Sequence, residues 1–584
     1  MESSLKIINN ISFIAVIIMV AAAIIIYASN IYRQKAVPVQ KSGKKKAAAP
    51  SFTDSLKSED FNMNDRLYLI IVIVIAVLGI AIRVWQFGSV PGGFNQDGAM
   101  AAVDGKALAD YATDRFGTFM PAHLYAWGYG QMSSLLSYMI AVFVKFFGLN
   151  PVTARLPQLI MSLAGGTFFY FFIKDIFGKR AALIAAAFVA FNPWQLVQSR
   201  WALDCNLLPH FFMGGLFFLN RGLSKRRRYT FISMIFFALC MYCYGITIYT
   251  IPPFLLAVCI YYLLKKKLTV KDALISAAIY LLIAWPFLLT MTVNFFKWDT
   301  ISLPFVTIQY FSGSVRSSDI LFFTENPMQQ IGSNLSHLMN TTLLQSKDLP
   351  WNDIDGFGTM FLCSIPFMAA GAIELSRTKT DGAKGLVTFA LLAGVWVGLV
   401  TNNVNVNRIN IVYYGIMMFI VLGIEFVIKE IKYAKFANIA IYAILSVMLV
   451  TTYFGSYADM IKGYFYYGFG DALIAAEESD ADKIYVTADA QGTGYWMTSE
   501  IITLFYDKTD ALYFQGKTNT SGGKELLPYK ERFTYESMSG SVVSKGVNEN
   551  AAFVITQNDV PLFNNSGYEI TNYGNFCAAV KKGD

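Results

Sequence analysis

Twelve apolar runs divide this sequence, at residues 7–28, 67–85, 156–176, 181–198, 207–221, 229–247, 249–264, 273–291, 358–375, 385–401, 409–428 and 436–454. A bilayer's hydrocarbon core takes roughly 20 apolar residues of helix to cross, so each run reads as a membrane span or most of one. Only 15% of the 584 residues are charged, against about 25% in ordinary soluble domains. The chain is expected to be an all-α polytopic membrane protein with about 12 transmembrane helices.

The net charge of +8 is not gathered into one stripe, which argues against a nucleic-acid partner. It falls in short clusters between the runs: "KSGKKK" (41–46), "GKR" (178–180), "SKRRR" (224–228), "KKKLTVK" (265–271), "SRTKTDGAK" (376–384) and "KEIKYAK" (429–435). Basic loops favour the cytoplasm. Every second connection is then inside, and 86–155, 199–206, 292–357, 402–408 and 455–584 face outward. The expected organisation is an extra anchor at 1–28, a cytoplasmic basic linker at 29–66, a transmembrane core at 67–455 with outer loops 86–155 and 292–357, and an extracytoplasmic region at 456–584. A cleaved signal peptide is the alternative for the first run. "QMSSLLSYMIAVFVKFFG" (131–148) is expected to lie in the membrane interface, with Lys145 reaching for head groups, because counting it as a span would place the basic clusters outside.

The last 130 or so residues change character. "DKIYVTADA" (482–490), "ALYFQG" (511–516) and "AAFVITQND" (551–559) read as strands, and 471–482 and 497–507 as helices, which predicts a small extracytoplasmic α/β domain without a phosphate-binding glycine loop. The six cysteines form no disulfide framework, and the pair in "CMYC" (240–243) reads as packing inside a span. Three histidines do not suggest a zinc cage of His and Cys.

Polar residues recur at the outer ends of several runs. The first outer loop holds Asp97, Asp104, Asp110, Asp114 and His123, and "TARLPQL" (153–159) holds Arg155. "SRWALDCN" (199–206) holds Arg200, Asp204 and Asn206, and "NNVNVNRIN" (402–410) holds Asn407 and Arg408. Each has a plain structural reading. Asp97 can cap a helix starting near Gly98, Asp104, Asp110 and Asp114 can form a solvated helix face, and Arg155 and Arg200 can anchor helix ends at head groups.

The order of "NQDGAMAAVDGKAL", "DRFGTFMPAHLYAWG", "FFGLNPVTARLPQLIMSLAGG", "IFGKRAALIAAAFVAFNPWQLVQSRWALDCN" and "NVNRIN" resembles that of C-type (GT-C) membrane glycosyltransferases of the family 39 kind, over about residues 67–430. That family includes protein O-mannosyltransferases and the lipid A aminoarabinose transferase. Its acidic motif is usually Asp-Glu, and here it reads Asp97-Gly98. The resemblance implies a GT-C-like core in the cytoplasmic membrane that moves a sugar, with inversion, from a polyprenyl-phosphate-sugar lipid donor to an extracytoplasmic protein, cell-wall polymer or lipid glycan. It implies Asp97 as the catalytic base and Arg155, Arg200 and Arg408 as donor phosphate ligands. His123, Asp204, Asn206 and Asn407 are then candidates for substrate binding, with a divalent metal ion left open. Two other classes fit a chain of this kind. A transporter or lipid flippase would carry ionisable residues near the bilayer midplane, whereas these spans carry them near their ends. A catalytically degenerate core that binds cell-envelope glycan would keep the fold without the reaction.

Overall fold

The computed structural model describes residues 2–36, 63–128, 130–312, 319–378, 381–490 and 495–582. Among them, eight helices are long and apolar enough to cross a membrane: Ser4–Tyr32, Asp65–Val84, Pro151–Phe177, Gly245–Leu264, Val270–Phe296, Gly382–Val400, Val412–Glu430 and Ala434–Ile461. The other four expected spans are helical but shorter, and local chemistry explains why. The 181–198 run breaks at Asn192-Pro193, where Asn192 caps a new helix and the proline occupies its first position. The 229–247 run unwinds after Cys240, ahead of the turn that leads into Ile251–Leu264. The 207–221 run is the helix Leu208–Ser224, and the 358–375 run is helical only from Phe367 to Arg377, just after Pro366.

The first helix extends from Glu2 to Ala36, so the opening residues of the expected linker are helical, and 37–62 lie outside the described residues. It packs against Phe367–Arg377, Val412–Glu430 and Ala434–Thr452, with Tyr27 edge-on to Phe426 at 5.5 Å. Val412–Glu430 is the most enclosed of the spans. A side chain at Gly423 would sit 1.9 Å from the Phe367 carbonyl oxygen, so these two backbones touch as small residues allow in membrane bundles.

The 131–148 segment forms the helix Leu135–Phe147, which is 13 residues long and lies against Gln96–Tyr111. Lys145 does not stand free toward head groups. Its Nζ donates to the Ala109 carbonyl at 2.8 Å and so ties the two helices together.

After the spans, a five-stranded mixed sheet has the order Tyr568–Asn572, Phe576–Lys581, Ala551–Thr556, Lys483–Thr487, Phe533–Glu536. Lys483–Thr487 runs parallel to both of its neighbours, and the other pairings are antiparallel. The expected strands at 482–490 and 551–559 and helices at 471–482 and 497–507 are present. The expected strand at 511–516 is instead the short helix Ala511–Phe514, because the Asp510 side chain accepts from Leu512 N and starts a helical turn there. This region is not separate from the helices. Trp496–Tyr506 packs on Gln96–Tyr111, and one hydrophobic core runs through both.

Candidate active site

The helix Gln96–Tyr111 starts where Asn95 Oδ1 accepts from Gly98 N at 3.0 Å. Asn95 is therefore the cap, and Asp97 stands in the first helical turn, where the positive end of the helix dipole favours a carboxylate. Asp97 is half-buried, and its Oδ1 accepts the indole N–H of Trp127 at 2.6 Å.

Position 98 is glycine for a reason of space. A Cβ there would lie 2.7 Å from Asn95 Oδ1 and 2.8 Å from the Ala202 carbonyl oxygen, so the 202–204 backbone abuts this helix start. That contact brings Asp204 to the site. Its carboxyl is buried, accepts from Cys205 N at 2.7 Å, and is pushed up to about 7, first by burial and then by the charge of Asp97. Asp97, in a first helical turn, and Asp204, from a distant stretch of chain, thus come close enough for their charges to interact.

Both line a cavity of about 1150 Å³. His123, Asn407 and Arg408 line it as well, and its wall continues over Ile246, Leu288, Met291, Phe295, Ile320 and Phe323. Arg408 donates to the Asn402 carbonyl at 2.7 Å and pairs with Asp319 at 2.8 Å. Burial holds the His123 imidazole down at about 4, so it is neutral at pH 7, and its ring meets Phe287 and Phe311 edge-on. Lys297, at the end of Val270–Phe296, adds a second cation to the lining.

Arg155 and Arg200 are elsewhere. Both are fully buried and neither lines the cavity. Arg155 donates to the carbonyls of Gly88, Pro91 and Gly93 at 2.9, 3.1 and 2.7 Å. Arg200 donates to Ile82, Trp85, Gln86 and Val90 at 3.0, 2.7, 3.2 and 2.9 Å, and also to the Arg83 carbonyl. Their forks satisfy the backbone of the 82–93 connection that delivers the chain to Asp97, and this corrects the expectation that they grip donor phosphate. Asn206 is likewise interior: it accepts from Asn410 at 2.9 Å, and Asn410 accepts from Trp194 at 3.0 Å.

Asp104 and Asp114 do not form the expected solvated face. Asp104 is enclosed and ion-paired to Arg115 at 2.6 Å, and Asp114 receives the backbone N–H groups of Phe116 and Thr118 at 3.0 and 2.8 Å. Asp110 pairs at the surface with Lys106. The sequence reading missed Trp127, Lys297 and Asp319. The glycines around Trp127 in "YAWGYG" (125–130) do signal a tight turn, while Asp319 follows no pattern. Among the described residues no group of three or more His, Cys, Asp or Glu side chains is placed to hold a metal.

Residues 133–289 match the family described as dolichyl-phosphate-mannose-protein mannosyltransferase. The chain superposes on ArnT from Cupriavidus metallidurans bound to undecaprenyl phosphate, with a TM-score of 0.52 and 12% identity, covering 88% of this chain and 97% of that one. The chain has the C-type glycosyltransferase fold. The apo state of the same ArnT gives a TM-score of 0.51 at 12% identity, with coverage again 88% and 97%. No curated protein matches the sequence. The C-type fold covers 88% of the chain, and the chain is a membrane protein.

Proposed function

We propose that this protein transfers a sugar from a polyprenyl-phosphate carrier to an acceptor hydroxyl or amine on the extracytoplasmic side of the cytoplasmic membrane, with inversion at the anomeric carbon. One observation carries the reading. A single cavity presents three acidic side chains, Asp97, Asp204 and the Asp319 that pairs with Arg408, two cations, Arg408 and Lys297, and a long apolar wall. That set matches a ligand with a prenyl chain, a phosphate and a sugar. The ArnT bound to undecaprenyl phosphate shares the fold.

In this reading the acceptor gives its proton to the Asp97 carboxylate as its oxygen or nitrogen bonds the anomeric carbon. The bond from that carbon to the carrier phosphate breaks on the opposite face, and the electron pair leaves with the lipid phosphate. Because this leaving group is already an anion, it needs positive charge and no proton donor, unlike the leaving group of a glycosidase. Arg408 supplies that charge with a planar fork suited to phosphate oxygens, and Lys297 adds to it. Asp204 and the neutral His123, with Asn407, face the sugar. The four shorter helices complete about twelve crossings, and the chain after the last span, which ends at Ile461, forms an extracytoplasmic region packed on the core.

Purified protein in lipid nanodiscs, offered a panel of radiolabelled polyprenyl-phosphate sugars together with hydroxyl- and amine-bearing acceptors, with and without chelator, is expected to release carrier phosphate as the label passes to the acceptor. Movement of labelled lipid across vesicles with its sugar–phosphate bond intact would support the transporter reading instead.

A further inference from the structure

The hydrogen bond from Trp127 to Asp97 belongs to a closed mechanical loop. Trp127 sits in the turn between the short strands Leu124–Tyr125 and Gln131–Met132. Just before it, Arg115 Nη2 donates to the carbonyls of Tyr125 and Ala126 at 3.0 and 3.4 Å. The other fork nitrogen of Arg115 is paired with Asp104 at 2.6 Å, and both side chains are almost wholly enclosed. Asp104 lies on the same helix as Asp97, about two turns on, and so on nearly the same face. Helix, arginine, turn and indole therefore return to the helix start.

The C-terminal region clamps this loop from outside. Met497 Sδ lies 2.6 Å from the place a Cβ on Gly128 would take, so the turn closes directly on Met497. Gln515 Nε2 donates to the Arg115 carbonyl at 3.1 Å, Phe514 meets Phe116 at 5.9 Å, and Tyr111 donates to Asp510 at 2.7 Å. On the other side of the helix start, Phe505 stacks on Phe94 with centroids 4.3 Å apart.

We infer that Trp127 is a positioning residue for Asp97, and that residues 496–515 hold it there, so that the C-terminal region completes the transferase site. The inference rests on the proposed role of Asp97 as base. An N–H donated to a carboxylate stabilises the charged form and fixes the plane of the group. Removing it leaves a carboxylate that is more basic but poorly aimed, and misplacement on the order of 1 Å slows a reaction roughly 100-fold.

The test uses the full chain in nanodiscs. Trp127→Phe keeps the ring and removes the donor, and Met497→Ala removes the wedge. Titration of Asp97 is read without any activity by infrared difference spectra of ¹³C-aspartate protein, the Asp97→Asn spectrum assigning the band. Trp127→Phe is expected to move that titration, and the acidic limb of the kcat/KM profile with it, about one pH unit upward. The expected fall in kcat is about 10- to 100-fold, with KM for the donor held. Met497→Ala is expected to act in the same direction to a smaller extent. An unmoved Asp97 titration in Trp127→Phe overturns the inference whatever Asp97 does in catalysis, and unmoved values in Met497→Ala overturn the part assigned to the C-terminal region. Transfer that survives Asp97→Asn, with the titration shift present, removes the base reading and leaves the hydrogen bond standing.

Discussion

Arg408 and Asp319 meet at 2.8 Å on the wall of the cavity, so the guanidinium assigned to the donor phosphate already holds an acid. Both side chains are partly exposed, 14% and 22%, and the pair is worth about 1 kcal/mol at most. The phosphodiester anion of the donor, offering two oxygens to the guanidinium fork, can displace it. Arg408→Ala should therefore weaken donor binding about 10- to 100-fold, the loss of a charge-assisted bond, while Asp319→Asn should tighten it a few-fold, roughly the weight of an exposed pair. Binding of a labelled polyprenyl-phosphate sugar to both variants checks this. Equal affinities would take Arg408 out of the phosphate site.

Arg200 is expected to behave as a structural residue. It donates to backbone carbonyls from Ile82 to Val90, and removing its fork leaves several of them unpaired in the interior. Arg200→Ala should lower stability by about 3 kcal/mol or more, and Arg200→Lys should not restore it, because an ammonium lacks the fork. Thermal unfolding in detergent reads the effect. Normal stability combined with lost donor affinity would return Arg200 to a phosphate-binding role.

Gly98 invites a third substitution. Placing a second acid beside Asp97 by Gly98→Glu would look like a gain, but the new Cβ would press on the Ala202 carbonyl and on the Asn95 cap at under 3 Å. The expected result is a drop in transfer of about 10-fold or more, because the start of the Asp97 helix moves. Activity equal to or above that of the unmodified protein would show that the 202–204 loop gives way easily.

The pH dependence follows from Asp204. Its folded-state value is raised from 3.8 to about 7 by burial and then by Asp97. The folded protein therefore keeps a proton that the unfolded chain has lost, and the stability this provides is present below about 4 and declines as pH rises toward 7. Above about 7 a second negative charge stands beside the donor anion, so donor binding should weaken across that pH. Asp204→Asn should flatten both trends, in melting temperature and in donor Kd. Slopes unchanged by the substitution would assign the titration to another group.

The sequence told most where chemistry and hydropathy coincide. Asp97 and Arg408 could be picked out because charged residues at the ends of apolar runs are few, and the cavity does unite them. Arg155 and Arg200 were equally visible but misread. A guanidinium fork suits carbonyl oxygens as well as phosphate, and only the folded 82–93 connection shows which it meets. Asp104 looked solvated because its partner Arg115 belongs to a later loop, and helical spacing cannot reveal that. The residues 511–516 look β-prone, yet the Asp510 cap decides the turn. Three of the apolar runs hold prolines or turns that shorten their helices without making them less apolar.

The central claim is that Asp97 removes the acceptor's proton inside a cavity that also holds the lipid donor. The most direct measurement is a single-turnover experiment in nanodiscs, with donor pre-bound and acceptor added, comparing Asp97→Asn with the unmodified protein. The account predicts unchanged donor binding and unchanged folding, with transfer slowed by about 10²- to 10⁴-fold. Transfer at the unmodified rate from the same bound donor would contradict it.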